Sequence, residues 1–126
     1  MSGALEKGLV TVLTATATCY PRVVQPAAFP LVRYQLIYIT RDVSIDGSKV
    51  GVTEAGLQLD CMATTYDGAK TLADAVRGVL HAYSGSWGTL VARFVELENE
   101  TDAYEQEGDK VIHWVSQRYK VWTDME

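Results

Sequence analysis

Between Thr65 and Tyr83 the apolar residues Ala69, Leu72, Ala73, Val76, Val79, Leu80 and Tyr83 recur at spacings of three and four, the pattern of one helix face. Thr65 or Asp67 supplies an N-terminal cap, and Ser84-Gly85 ends the run. Lys70, Asp74, Arg77 and His81 form a polar stripe on the opposite side. Their pairings contribute only about 0.2–0.5 kcal/mol each, so burial of the apolar stripe must hold the helix. A first helix is expected over about residues 3–16, capped by Ser2, with Leu5, Leu9, Val12, Leu13 and Thr16 on one face. Gly8, Thr11 and Thr14 lower its propensity.

Three prolines, Pro21, Pro26 and Pro30, exclude a helix from the next segment and leave at most a short edge strand around Arg22–Gln25. Leu31 to Thr40 is rich in β-branched and aromatic residues and predicts a strand, with Val32, Tyr34, Leu36 and Tyr38 on one side and Leu31, Ile37 and Ile39 on the other. A polar connection over 41–49 turns at Asp46-Gly47. A second strand covers about Val50–Ala63, where Leu57, Leu59 and Cys61 alternate with Gln58 and Asp60, and Gly51 and Gly56 mark a bulge or kink. Thr89–Glu98 predicts a third strand. Asn99–Asp109, with carboxylates at Glu100, Asp102, Glu105, Glu107 and Asp109, predicts an acidic loop. Lys110–Thr123 predicts the last strand. Both polar connections, 41–49 and 99–109, are expected to be mobile in the free subunit.

The order of elements implies one α+β domain over residues 1–126: an antiparallel sheet of about four strands with two helices packed on one face. Strands lie about 4.8 Å apart and a helix is about 10 Å across, so two helices cover about one face. The other face needs a different cover. Tyr34, Tyr38, Ile37, Ile39, Trp114 and Trp122 are the candidate interface residues, and aromatic residues are common anchors of protein interfaces. The competing possibility is that segment 19–30 folds back over this face within the same chain.

The net charge of −5 and the scattered Lys and Arg argue against a nucleic-acid-binding activity. Cys19 and Cys61 lack a C-x-x-C spacing and are expected to be free thiols in a reducing compartment. No apolar run approaches the ~20 residues of a membrane span, and no secretory pattern opens the sequence. For catalysis, Cys61 with His113 is the one conceivable nucleophile–base pair, and no orienting group or oxyanion motif accompanies it. His81 sits on the polar helix stripe, and the acidic run 99–109 lacks a calcium-loop pattern. The chain is therefore expected to be no enzyme and to hold no cofactor or metal.

Along its whole length the sequence resembles the tail-completion, or tail-terminator, family of long-tailed bacteriophages and related prophages and gene transfer agents. The resembling segments are Leu5-Glu6-Lys7-Gly8-Leu9, Phe29-Pro30-Leu31-Val32-Arg33-Tyr34-Gln35, Leu57 to Lys70 with Leu72 to Arg77, Glu98 to Glu105, and a final strand. The resemblance implies a virion subunit that forms a ring, usually a hexamer, at the head-proximal end of the tail tube. Such a ring stops tube growth and receives the head's connector or stopper protein. Related folds also serve in tube proteins and head–tail connectors, so another neck component is the alternative within the family. Outside it, the alternative is a small non-enzymatic binding module. The implied partners are other copies of the chain, the tube protein and the connector. DNA would pass through without specific binding, which an acidic balance suits because like charge suppresses phosphate contacts. Assembly would take place in the bacterial host cytoplasm.

Overall fold

The computed structural model of the chain describes residues 2–14, 16, 19–21, 29–41, 52–88 and 90–124. In chain order the elements are α1 (Ser2–Leu13), β1 (Cys19–Pro21), β2 (Leu31–Arg41), β3 (Val52–Ala63), α2 (Tyr66–Leu80), β4 (Gly85–Trp87), β5 (Leu90–Glu107) and β6 (Lys110–Asp124). They form one sheet in the order β1-β2-β3-β6-β5-β4. All neighbours are antiparallel except β1, which runs parallel to β2 through Cys19↔Val32 to Pro21↔Tyr34. The expected sheet of about four strands corresponds to the four long ones. Two short edge strands, β1 and β4, bring the total to six. Three-residue strands of this kind carry too little alternation to be legible in a sequence.

The helix expected at 65–83 is α2. Thr65 is its N-cap, and its hydroxyl accepts the Gly68 N–H at 3.0 Å. Asp67 in the first turn and Arg77 in the last complement the helix dipole. The helix ends earlier than Tyr83 because Ala82 enters the left-handed region at φ 64. Ala69, Leu72, Ala73, Val76 and Leu80 are buried against β3, β6 and β5. Leu72→Ala or Leu80→Ala should therefore each cost about 2–5 kcal/mol, and urea midpoints unchanged from the parent would refute this packing.

Helix α1 stops at Leu13, short of residue 16. Thr11 and Thr14 turn their hydroxyls back onto the carbonyls of Lys7 and Val10 at 2.9 and 2.8 Å, and a tighter Thr16 N–H to Leu13 bond closes the end. Leu5, Leu9 and Leu13 are its buried stripe and join the α2 residues, Val32, Tyr34, Leu57, Leu59, Cys61, Trp87, Val95, Val115, Tyr119 and Val121 in one core. Both helices thus share one face of the sheet. Gln117 is the polar member of that layer. Its amide donates to the Ala73 carbonyl at 3.0 Å and to Glu100 Oε1 at 2.8 Å, while its oxygen accepts the Tyr119 hydroxyl at 2.8 Å.

Two expectations are corrected. The acidic stretch 99–107 is not a loop: β5 runs to Glu107, and only Gly108-Asp109 turns the chain, with Gly108 at φ 58. Its residues pair with β6 from Asn99↔Arg118 to Glu107↔Lys110, because a backbone ladder tolerates charged side chains wherever they face solvent. The facing of β2 is corrected as well. The register slips between Leu36↔Leu57 and Tyr38↔Gly56, so Ile37 is a bulged residue and parity reverses beyond it. Ile39 then lies with Val32, Tyr34 and Leu36 against the main core, and Tyr38 moves to the opposite face. Gly56 permits this because a Cβ there would collide with the Tyr38 ring. The connection 41–49, apart from the strand end at 41, and the Arg22–Gln25 segment lie outside the described residues.

Candidate functional site

The face of the sheet away from the helices is the candidate site, and the register places its rows. Towards one end, Leu31 and Met62 pair, Met62 faces Trp114, and Trp114 faces Ala103. Leu31, Met62 and Ile112 are buried together there, with Phe29 and Trp114 packed against them. The next row is Arg33, Asp60, Ser116 and Thr101, followed by Gln35, Gln58, Arg118 and Asn99. Beyond Tyr38, Gly56, Lys120 and Glu96, the far end carries Glu54, Trp122 and Phe94. The face is therefore polar in the middle and apolar at both ends.

Asp60 anchors the middle. It is only 2 % exposed although no helix covers it. Arg33 reaches one carboxylate oxygen with Nη2 at 2.8 Å and Nε at 3.2 Å, and Ser116 Oγ donates to the other at 2.6 Å. The same guanidinium lies 6.0 Å from the centre of the Trp114 ring, so one ion pair fixes both the carboxylate and the aromatic beside it. Tyr38 donates its hydroxyl to Glu54 Oε2 at 2.7 Å; burial and then this bond push its pKa up to about 12.

Of the six residues expected at an interface, the structure brings four to this face and sends two away. Tyr34 is 9 % exposed and lies in the main core, and Ile39 is partly buried against the same core, so both sit on the helix side of the sheet and not on this face. Trp114 is half-buried at one end, and Trp122 is half-buried at the other, 6.0 Å from Phe94. Ile37 at the bulge is 38 % exposed, and Phe94 is 42 % exposed. Val91 is also exposed on β5. Phe94 was missed because the bulge between Ala92 and Phe94 reverses its facing, a change that strict alternation cannot anticipate. The possibility that segment 19–30 covers this face holds in part: Phe29 packs on the Leu31–Met62–Ile112 end, and residues 22–28 lie outside the described set.

Elsewhere, Tyr66 and Tyr104 bracket His113 at ring distances of 6.1 and 6.3 Å, so this histidine is an aromatic neighbour on the helix side of the sheet. Lys70 pairs with Asp102 at 2.6 Å on the same side. His81 uses Nδ1 to accept the Leu97 N–H at 3.3 Å. Cys61 lies buried with its Sγ 3.8 Å from Gln117 Oε1, and burial pushes its thiol far up. The Cys19 thiol is raised from 9.0 to about 11, again by burial. Neither cysteine is in a disulfide. Alkylation at about pH 8 should accordingly be far slower than for a cysteine peptide, and fast labelling of the native chain would contradict this placement. Because the folded Cys19 thiol holds its proton longer than the unfolded one, its contribution to stability is present below 9.0 and is lost as pH rises towards about 11. Among the described residues no group of three His, Cys, Asp or Glu is placed to hold a metal, and no helix is long and apolar enough to cross a membrane.

The fold is thus a two-layer α+β domain with both helices on one face of the sheet and exposed apolar side chains on the other. The family model of tail completion protein gp17 matches residues 5–124, and the chain belongs to that family. It is a structural component of a phage-type tail, in a family of structural virion proteins. Among solved structures it is similar to a chain in the virion of a native gene transfer agent particle, at 13 % identity and a TM-score of 0.54, over 92 % of this chain and 84 % of that one. That likeness is one of fold. No curated protein matches the chain.

Proposed function

We propose that this subunit forms a ring, a hexamer, at the head-proximal end of the tail tube, where it ends tube polymerisation and offers the docking surface for the head's connector or stopper protein. The carrying observation is the sheet with both helices on one face, which among the described residues leaves Ile37, Phe94 and Val91 exposed and Trp122 half-buried on the other. Apolar and aromatic side chains left in water as one patch are the usual mark of an assembly surface. The partners are other copies of the chain, the tube protein and the connector. DNA passes through the ring without specific binding, and the net charge of −5 supports this because it disfavours phosphate contacts.

The test is tube growth in vitro. Tube protein is polymerised with and without the purified chain and imaged by negative stain. Rings on tube ends and arrested elongation are expected. Tubes of the same length distribution in both samples, with no ring at either end, would overturn the proposal.

A further inference from the structure

The outer edge of β5 is closed over only part of its length. β4 pairs with Leu90–Ala92. Next, the Ala82 N–H donates to the Val95 carbonyl at 2.7 Å and the Leu97 N–H donates to His81 at 3.3 Å. From Glu98 to Glu107 no strand or turn among the described residues pairs with that edge, although the inner edge is paired with β6 from Asn99 to Glu107. In an antiparallel strand alternate residues direct both N–H and C=O outward, so about half of this segment presents unpaired backbone groups.

Edges this long are commonly guarded by proline or lysine, and the segment Glu98-Asn99-Glu100-Thr101-Asp102-Ala103-Tyr104-Glu105-Gln106-Glu107 has neither. Its charges are all carboxylates. Glu100 and Asp102, on the helix side, are held by Gln117 and Lys70, whereas Glu98 and Glu105 are exposed and make no hydrogen bond or ion pair among the described residues. Tyr104, 71 % exposed, adds an apolar ring beside the same edge. Pairing of two β5 edges would oppose like charges and is disfavoured. A second copy lacks the complementary strand too. Within these 126 residues, Arg118 and Lys120 are the one pair of basic residues at alternate positions, and they lie on β6, already flanked by β3 and β5.

We propose that the β5 edge from Glu98 to Glu107 is a strand-addition site for an extended basic segment of a different protein of the assembly. Backbone bonds to the open edge give the affinity. Lysine or arginine side chains facing Glu98 and Glu105, with an apolar residue against Tyr104, give the choice of partner. This rests on the preceding proposal only in placing the subunit beside other tail proteins.

The probe is a short blocked peptide alternating Lys with Val, compared with one of equal charge alternating Lys with Pro. Amide exchange of the full chain is followed by NMR, and affinity by calorimetry. The Lys–Val peptide is expected to slow exchange within residues 98–107, and the Lys–Pro peptide is not. Glu98→Lys with Glu105→Lys should weaken binding about tenfold or more, and Glu98→Gln with Glu105→Gln by an intermediate amount. Equal binding of both peptides, protection elsewhere, or undiminished binding by the folded charge-reversed variant would overturn the proposal. So would protection, in the protein alone, of the outward-directed amides of 98–107 that β6 does not pair, which would mean that a second copy covers the edge. Negative-stain images of the same samples report ring formation separately, so a failed edge and a failed ring are told apart.

Discussion

Trp87→Ala is expected to lower stability by about 3–5 kcal/mol, the range for a large aromatic removed from a core. Trp87 is fully buried although it lies on a three-residue edge strand. Its indole N–H donates to the Leu5 carbonyl at 2.8 Å, and its ring meets Tyr83 edge-on at 5.9 Å. Helix α1 approaches so closely here that a Cβ on Gly8 would sit 2.5 Å from the Trp87 carbonyl oxygen. A Cβ on Gly88, whose φ is +64, would sit 3.0 Å from the Gly8 Cα, so both positions favour glycine. The tryptophan is therefore the joint between α1 and the sheet. A domain is typically stable by about 5–15 kcal/mol, so this loss is a large fraction of the whole. Gly8→Ala should weaken the same joint from the helix side. Trp87→Phe, which keeps a ring and loses the N–H, should cost less than Trp87→Ala. Urea midpoints decide the matter, and a Trp87→Ala midpoint equal to the parent's would refute this account of how α1 is held.

Trp122→Glu is expected to leave a folded subunit that fails to assemble. Trp122 is half-buried, stacks at a tilt on Phe94 and lies outside both buried clusters, so a charge there remains solvated in the free chain. In an assembled interface the same carboxylate would be desolvated without a partner, and hot-spot positions of this kind commonly cost about 2 kcal/mol or more. Trp114→Glu is a less clean probe. Its ring packs on Leu31, Met62 and Ile112 and lies under Arg33, so part of its effect will be on folding. The measurement is circular dichroism for folding, followed by counts of terminated, head-competent tails. If folded Trp114→Glu and Trp122→Glu variants both support tails that join heads as the parent does, the interface lies elsewhere on the subunit.

What the sequence determined by itself is the set of long, strongly periodic elements. The stripe from Ala69 to Leu80 and the Leu5–Leu9–Leu13 series read directly as helix faces, because the same side chains that show the period are those that bury. Alternation of Leu57, Leu59 and Cys61 did the same for β3. The family, too, was legible in the run of segments from Leu5 to the last strand. Only the tertiary structure decided the rest, and each case has a local cause. The bulges at Ile37 and Arg93 reverse side-chain parity, which turned Ile39 onto the core, brought Phe94 out beside Trp122 and moved Tyr38 to the same outer face. An acidic segment became strand because β6 supplied its backbone partners, a long-range contact that charge composition cannot reveal. Asp60, one polar residue in an alternating strand, proved to be buried because Arg33 and Ser116 come to it from the two neighbouring strands. Periodicity is a property of one segment, whereas register, bulges and open edges arise only when segments meet.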